Sequence, residues 1–282
     1  MSSGTLYIVA TPIGNLEDVT ARAVRVLSSV DLIAAEDTRH SGKLLRHLGI
    51  RAETFALHEH NERDQAPKLL DWLRRGKSIA LISDAGTPLI SDPGYALVRA
   101  AHAAGVPVVP IPGASAVIAA LSVAGLPSDR FVFEGFLPPR EAARRAALER
   151  LRAEPRTLIF YEAPHRIREC LHDMTDIFGA EREATIAREL TKQFETVRAG
   201  TLGELTAWVA RHDEQQLGEF VLLLHGAPRA EEAGADSAEA ERVLRILLEQ
   251  LPVSQAAELA ARISGVAKNT LYKRALALRT DK

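Results

Sequence analysis

The 282 residues exceed what one small core needs and suit two domains with a small appendage. At 46% hydrophobic and 26% charged, the chain has neither the apolar depletion nor the charge blocks of a disordered protein. Its single cysteine, Cys170, excludes an internal disulfide and a thiolate-built zinc site, and a net charge of −2 excludes a global pull toward polyanions.

From the start, short β-rich runs alternate with helical patterns. TLYIVA predicts a buried strand at Thr5–Ala10, and Val19, Ala23, Val26 and Leu27 give the helix Val19–Ser29 one apolar face. A strand is expected at Asp31–Ala35 and a helix at His40–Leu48, stopped at Gly49. The amphipathic helix Asp64–Arg75 leads into the strand Ser78–Ser83. Then Tyr95–Ala104, closing at Gly105, leads into the strand Val106–Ile111 and a helix over Ala114–Val123. Such alternation predicts a parallel α/β sheet covered on both faces.

After Gly125-Leu126-Pro127 the texture changes. Phe131–Phe136 and Thr157–Tyr161 read as strands around a charged helix, Arg140–Ala153. Glu183–Glu189, Glu195–Ala199 and Phe220–Leu224 supply more strands, with fewer helices between them. The expected organisation is an α/β domain over residues 1–125, a second with a mixed sheet over 126–228, and a linker at 229–240. The linker lies inside Gly226–Ala240, which is rich in Ala, Glu, Gly and Pro.

A small C-terminal helical segment follows, residues 241–282. Its helices are expected at Val243–Leu251, at Ser254–Ile263 with Ser254 as N-cap, and at the basic stretch Lys268–Leu278 after Gly265. The pattern is that of a helix-turn-helix, and equally of a helical packing or dimerisation unit. No basic, apolar leader follows Met1, and no run of about eighteen apolar residues occurs. With the lone cysteine, this predicts a cytoplasmic chain in a reducing compartment, with no membrane partner.

Three loops fall where strands should end. Ala10–Leu16 (ATPIGNL) carries Gly14, which lets a backbone approach a ligand, yet it lacks the glycine spacing and lysine of the familiar dinucleotide and phosphate loops. Ser83–Gly94 holds two aspartates, two glycines and two prolines, more than a turn requires, and Ile111–Ala116 repeats the strand, Pro-Gly, helix arrangement. One such loop reads as a binding loop or as a plain turn. Three at strand ends predict one ligand cleft.

These residues carry a resemblance. LYIVATPIGNLEDVT (Leu6–Thr20), AAEDTRHSGKLL (Ala34–Leu45), HEHNE (His58–Glu62), LISDAGTPLISDPG (Leu81–Gly94), PIPGASA (Pro110–Ala116), FEGFLP (Phe133–Pro138), FYEAPHR (Phe160–Arg166) and ARELTKQFE (Ala187–Glu195) resemble the tetrapyrrole-methylase superfamily of S-adenosylmethionine-dependent enzymes. Within it they are most similar to the branch that methylates the ribose 2′-hydroxyl of a cytidine in the decoding region of bacterial 16S rRNA. The resemblance implies two α/β domains with the cofactor in the cleft between them, a homodimer, and the small ribosomal subunit as partner. It implies that Pro12, Ile13 and Gly14, then Asp84, Gly86 and Thr87, then Ser115 and Ala116 hold S-adenosylmethionine, with Phe160, Tyr161 and Ala187 completing the pocket. Members acting on tetrapyrroles carry Gly-Asp-Pro where this chain has Ser83-Asp84-Ala85, a departure that points away from porphyrinoid substrates.

Methyl transfer from a sulfonium is an in-line displacement in which alignment is the main task. A ribose hydroxyl is a weak nucleophile, so a base or a cation near the developing alkoxide helps. The catalytic candidates are Asp37, Glu189, Lys192 and Glu195, with Lys192, flanked by the two glutamates, expected nearest the hydroxyl. The last three also read as a solvated charge pattern, and Asp37 with Arg39 as an ion pair at a helix start. RNA contacts are expected from Arg39, His58, Asn61, Arg140 and Arg166, with Phe136 and Tyr161 as stacking faces. The Arg140–Arg145 run also reads as a solvated helix face. His58 and His60 would point to opposite sides of an extended segment, so no metal is expected. Two other readings are a small-molecule tetrapyrrole methylase and a ligand-sensing, DNA-binding regulator.

Overall fold

The computed structural model describes residues 4–227 and 235–280. Two compact units form, Met1–Arg152 with Arg156–His225, and Ala153–Pro155 with Gly226–Lys282.

The larger unit holds two five-stranded sheets. In the first, β1 (Leu6–Val9), β2 (Leu32–Ala35), β3 (Thr54–Ala56), β4 (Ile79–Ile82) and β5 (Val108–Ile111) lie in the order β3-β2-β4-β1-β5, every pair parallel. Alternation along β2 sends Leu32 and Ala34 to one face and Ile33 and Ala35 to the other. The first face is covered by α3 (Glu62–Arg74) and α4 (Tyr95–Ala103), the second by α1 (Ala21–Ser29) and α2 (Thr38–His47). Burial on both sides explains why these strands are apolar runs rather than alternating ones. α1 starts two residues later than its apolar pattern suggested, because the Thr20 hydroxyl accepts from the Ala23 N–H and caps it there.

The second sheet is mixed. β6 (Phe131–Phe136), β7 (Thr157–Glu162), β8 (Glu183–Arg188), β9 (Thr196–Thr201) and β10 (Phe220–Leu224) lie in the order β6-β7-β10-β8-β9. Only β6 and β7 are parallel. One face packs on α6 (Glu141–Arg150), α7 (Ile167–Phe178) and α8 (Leu202–Arg211), the other on α5 (Ala116–Val123). α5 follows the last strand of the first sheet and lies within the expected first domain, yet it packs on the second sheet. The Thr185 hydroxyl there donates to the Ala124 carbonyl at 2.8 Å.

α7 and α8 are absent from the elements that the sequence of this region predicts. α7 buries Ile167, Cys170, Leu171, Met174, Ile177 and Phe178 at helical spacing, and α8 begins at a capping box between Thr201 and Glu204. The solvated-face reading of the Arg140–Arg145 run is also corrected. The Arg144 side chain is 2% exposed, and its Nε donates to Asp173 Oδ2 at 2.6 Å. Arg145 donates to the other oxygen of Asp173 at 2.7 Å, so these two arginines of α6 serve to dock α7.

The smaller unit is a three-helix cluster of α9 (Ala235–Leu248), α10 (Val253–Ser264) and α11 (Lys268–Thr280) around Ala240, Leu244, Ala257, Ala260 and Leu271. α9 starts inside the stretch expected as a linker, of which residues 229–234 lie outside the described residues. Pro252, not Ser254, occupies the N-cap of α10. Two cations of the basic helix are paired within the unit, Lys268 with Glu258 at 2.9 Å and Arg274 with Glu241 at 2.7 Å.

Candidate active site

The loops after β1, β4 and β5 are stitched together at the carboxyl edge of the first sheet. Thr11 and Gly86 exchange backbone hydrogen bonds of 2.9 and 3.1 Å, and the Thr87 hydroxyl donates to the Ala114 carbonyl at 2.9 Å. β1 and β4 are adjacent, and their loops leave in opposite directions across the sheet order, the position where open α/β sheets form ligand crevices.

A cavity opens at this edge and is closed from the far side by the second sheet. Ile13, Asp84, Gly86, Thr87, Ser115 and Ala116 line it from the first sheet's loops. Across from them, Tyr161, Val221 and Ala187 sit side by side on β7, β10 and β8 in direct register. Ser115 occupies the N-cap position of α5 without a side-chain capping bond.

Three residues expected in the pocket do not line the cavity. Phe160 is fully buried in the core beneath α7 and α8, because strand alternation turns it away from its neighbour Tyr161. Pro12 is buried, and Gly14 is exposed and backs directly onto the Lys192 side chain. The cavity is also lined by Ile90, Ser91 and Asp92 of the Ser83–Gly94 loop, by Leu190 of the Ala187–Glu195 segment, and by Glu219, which no sequence motif marked. The apolar start of β10 was legible, but its insertion between β7 and β8, which brings Glu219 and Val221 to the site, was not.

Lys192 sits where the two halves of the site meet. Its Nζ donates to Glu189 Oε1 at 2.9 Å and to Glu219 Oε2 at 2.8 Å, while the Glu219 N–H donates to the same Glu189 oxygen at 2.9 Å. Burial opposes the Lys192 charge, but the bonds to Glu219 and Glu189 outweigh it and raise its pKa. Partial burial of Glu189 is likewise outweighed, first by Lys192, and its pKa falls. The second carboxylate on Lys192 is therefore Glu219 rather than Glu195. Glu195 instead accepts from the Thr191 N–H at 2.5 Å, holding a turn in which Glu189 and Thr191 have φ of 50° and 67°. Thr191 in turn accepts from the Asn15 N–H at 3.1 Å, tying this turn to the loop after β1.

A second group of charges lies at the ends of β2 and β4. Asp37 is the N-cap of α2, accepting from the Arg39 N–H at 2.8 Å, and its own N–H donates to Asp84 Oδ1 at 3.1 Å. The bonds from the Arg39 side chain and backbone hold its carboxyl at about 2, which makes it a weak base. Burial, followed by the Asp84 charge, raises Glu36.

The expected RNA contacts divide in two. Arg39, 91% exposed, and Arg140, at the N-cap of α6, are open to solvent. The other three shape the chain. Asn61 accepts from the His58 N–H and donates to the Ala56 carbonyl, fixing the turn into α3. Arg166 donates to the Leu137 carbonyl at 2.7 Å and pairs with buried Glu162 at 3.2 Å, clamping the end of β6.

Comparison with known proteins agrees with this architecture. The family model of tetrapyrrole (corrin/porphyrin) methylases matches residues 5–206, and that of the RsmI C-terminal HTH domain matches residues 234–279. The chain is 59% identical over 278 residues to ribosomal RNA small subunit methyltransferase I of Pseudomonas aeruginosa, covering 98% of both chains. It is 56% identical over 275 residues to the protein of that name from Escherichia coli O157:H7, covering 98% of this chain and 96% of the relative. Among solved structures, diphthine synthase superposes with a TM-score of 0.59 at 15% identity over 79% of this chain and 90% of that one. Uroporphyrin-III C-methyl transferase from Thermus thermophilus, complexed with S-adenyl homocysteine, gives 0.54 at 18% identity over 78% and 97%. At these identities the superpositions show the shared fold.

Proposed function

The chain belongs to the tetrapyrrole methylase family, and from that premise we propose that it transfers the methyl group of S-adenosylmethionine to the ribose 2′-hydroxyl of a cytidine in the decoding region of 16S rRNA. Its relatives of more than half identity bear the name of small-subunit rRNA methyltransferases, which supports the small ribosomal subunit as substrate and the bacterial cytoplasm as its place of work.

The carrying observation is the convergence of three stitched loops on one cavity that the second sheet walls off. The residues present fit the donor. Ile13, Leu190 and Val221 give an apolar surface for a nucleoside, and Asp84 and Glu219 supply carboxylates for a cationic sulfonium and ammonium. When bound, S-adenosylmethionine supplies an electrophilic methyl group. The chain's task is to hold it in line with the acceptor oxygen, exclude water and manage one proton. Lys192, pinned between Glu189 and Glu219, is a fixed cation at the rim, suited to a developing alkoxide. Arg39 and Arg140 are placed to meet phosphates.

A homodimer is part of the proposal. Ile118 and Val123 on α5 are 55% and 52% exposed, and Tyr95 at the start of α4 is 66% exposed, apolar surface that a second copy would cover. Transfer of tritium from labelled S-adenosylmethionine tests the reading. Label should enter small ribosomal subunits and not uroporphyrinogen. Label in the tetrapyrrole instead would reassign the acceptor.

A further inference from the structure

One corner of the cavity is not used by the cofactor reading. Ile90, Ser91, Asp92 and Phe136 form it. The segment is held in an uncommon backbone, with Leu89 and Ser91 at φ of 73° and 66°. Such conformations cost about 1–3 kcal/mol each and persist where the surroundings impose them. Here the surroundings are β6. Its register shifts between Phe133 and Gly135, and Gly135, at φ 64°, lies so close to Ser91 that a side-chain carbon there would stand 3.0 Å from the Ser91 hydroxyl oxygen. The next residue, Phe136, is 55% exposed, with its ring 5.5 Å from that of Tyr161. A carboxylate and an open aromatic face thus share one corner, fixed from both sides.

We propose that this corner is the acceptor-nucleoside subsite, with the extruded base stacked on Phe136 and Asp92 acting as the catalytic base for the ribose 2′-hydroxyl. The inference rests on the methyltransferase reading above. In the step, a lone pair of the 2′-oxygen forms the bond to the methyl carbon. The methyl–sulfur bond breaks with its electrons left on sulfur, and the hydroxyl proton passes to the Asp92 carboxylate, which returns it to solvent. The surroundings of Asp92 suit this task. The Ser83 hydroxyl bonds to it, Tyr161 faces it from β7, and the charges acting on it are the carboxylates of Glu36 and Asp84. Burial, opposed by the Ser83 bond and assisted by those charges, lifts its carboxyl to about 6, near the range where a base is ionised yet still takes a proton.

The test is single-turnover methylation of unmodified small subunits across pH by the full chain and by Asp92→Asn. The wild-type rate should fall tenfold per pH unit below about 6. D92N should be slower by about 10²–10⁴-fold, with that acid limb gone and S-adenosylmethionine binding by calorimetry intact. Because the carboxyl is raised, D92N should also melt higher than wild type at pH 8 and equal to it below pH 4, which shows that it folds. Phe136→Ala should raise KM for the subunit more than it lowers kcat. D92N turning over at the wild-type rate with the acid limb retained overturns the subsite alone. A wild-type chain that methylates no RNA overturns the methyltransferase reading with it.

Discussion

Thr11 and Gly86 are locked together by two reciprocal backbone hydrogen bonds, so the loop after β1 and the loop after β4 move as one body. Gly86 adopts φ 79°, and a side-chain carbon there would stand 3.2 Å from Ile13 Cγ2 in the cavity wall. Gly86→Ala therefore strains the backbone by about 1–3 kcal/mol at the point where the donor is expected. Calorimetry should show affinity for S-adenosylmethionine weakened by roughly tenfold or more, with a melting temperature only a few degrees lower.

Removal of the rim cation separates chemistry from binding. Lys192→Ala should lower single-turnover methylation by about 10²-fold while donor affinity stays nearly unchanged. Glu219→Gln leaves Lys192 one carboxylate, Glu189, and should give a smaller loss. Wild-type rates in both variants would remove Lys192 from the reaction.

The Arg144–Asp173 pair makes the opposite kind of prediction. Asp173 accepts from two arginines, and Arg144 is almost wholly buried. Asp173→Ala leaves that charge only the largely exposed Glu169, 3.6 Å away, and should cost about 3–5 kcal/mol in urea unfolding, with donor affinity per folded molecule unaltered. Replacing Arg144 and Asp173 together by apolar residues should restore part of the loss.

Two carboxyls titrate with opposite consequences for stability. Asp37 is depressed to about 2, so its contribution is present above the ordinary carboxylate range and is lost as pH falls from about 4 toward 2. Asp92 is raised to about 6, so the folded state binds the extra proton and stability rises as pH falls from about 6 toward 4. In thermal melts at pH 8, Asp37→Ala should fall below wild type and Asp92→Asn should rise above it, the first difference closing between about pH 4 and 2 and the second between about pH 6 and 4. Parallel curves would contradict both assignments.

The parallel first sheet was legible because each strand is a short apolar run with a helix pattern after it, and the three loops were legible because Pro, Gly and Asp mark them densely. What stayed hidden depended on distance in space. Phe160 and Tyr161 are adjacent and both aromatic, and only the placement of helices beneath β7 decides that Tyr161 meets the cavity. Lys192 shows its i,i+3 partner Glu189 in the sequence, but Glu219 arrives from 27 residues away through the order of the second sheet. The burial of Arg144 depends on Asp173, 29 residues away on a helix that only tertiary packing brings beside α6.

Mass spectrometry of 16S rRNA, after reaction of unmodified small subunits with the purified chain and isotopically labelled S-adenosylmethionine, tests most directly whether this cleft delivers a methyl group to a ribose oxygen. The expected result is one labelled methyl on the ribose of a decoding-region cytidine, absent when donor is withheld. Label on a nucleobase, or no label in RNA while the donor binds, would contradict it.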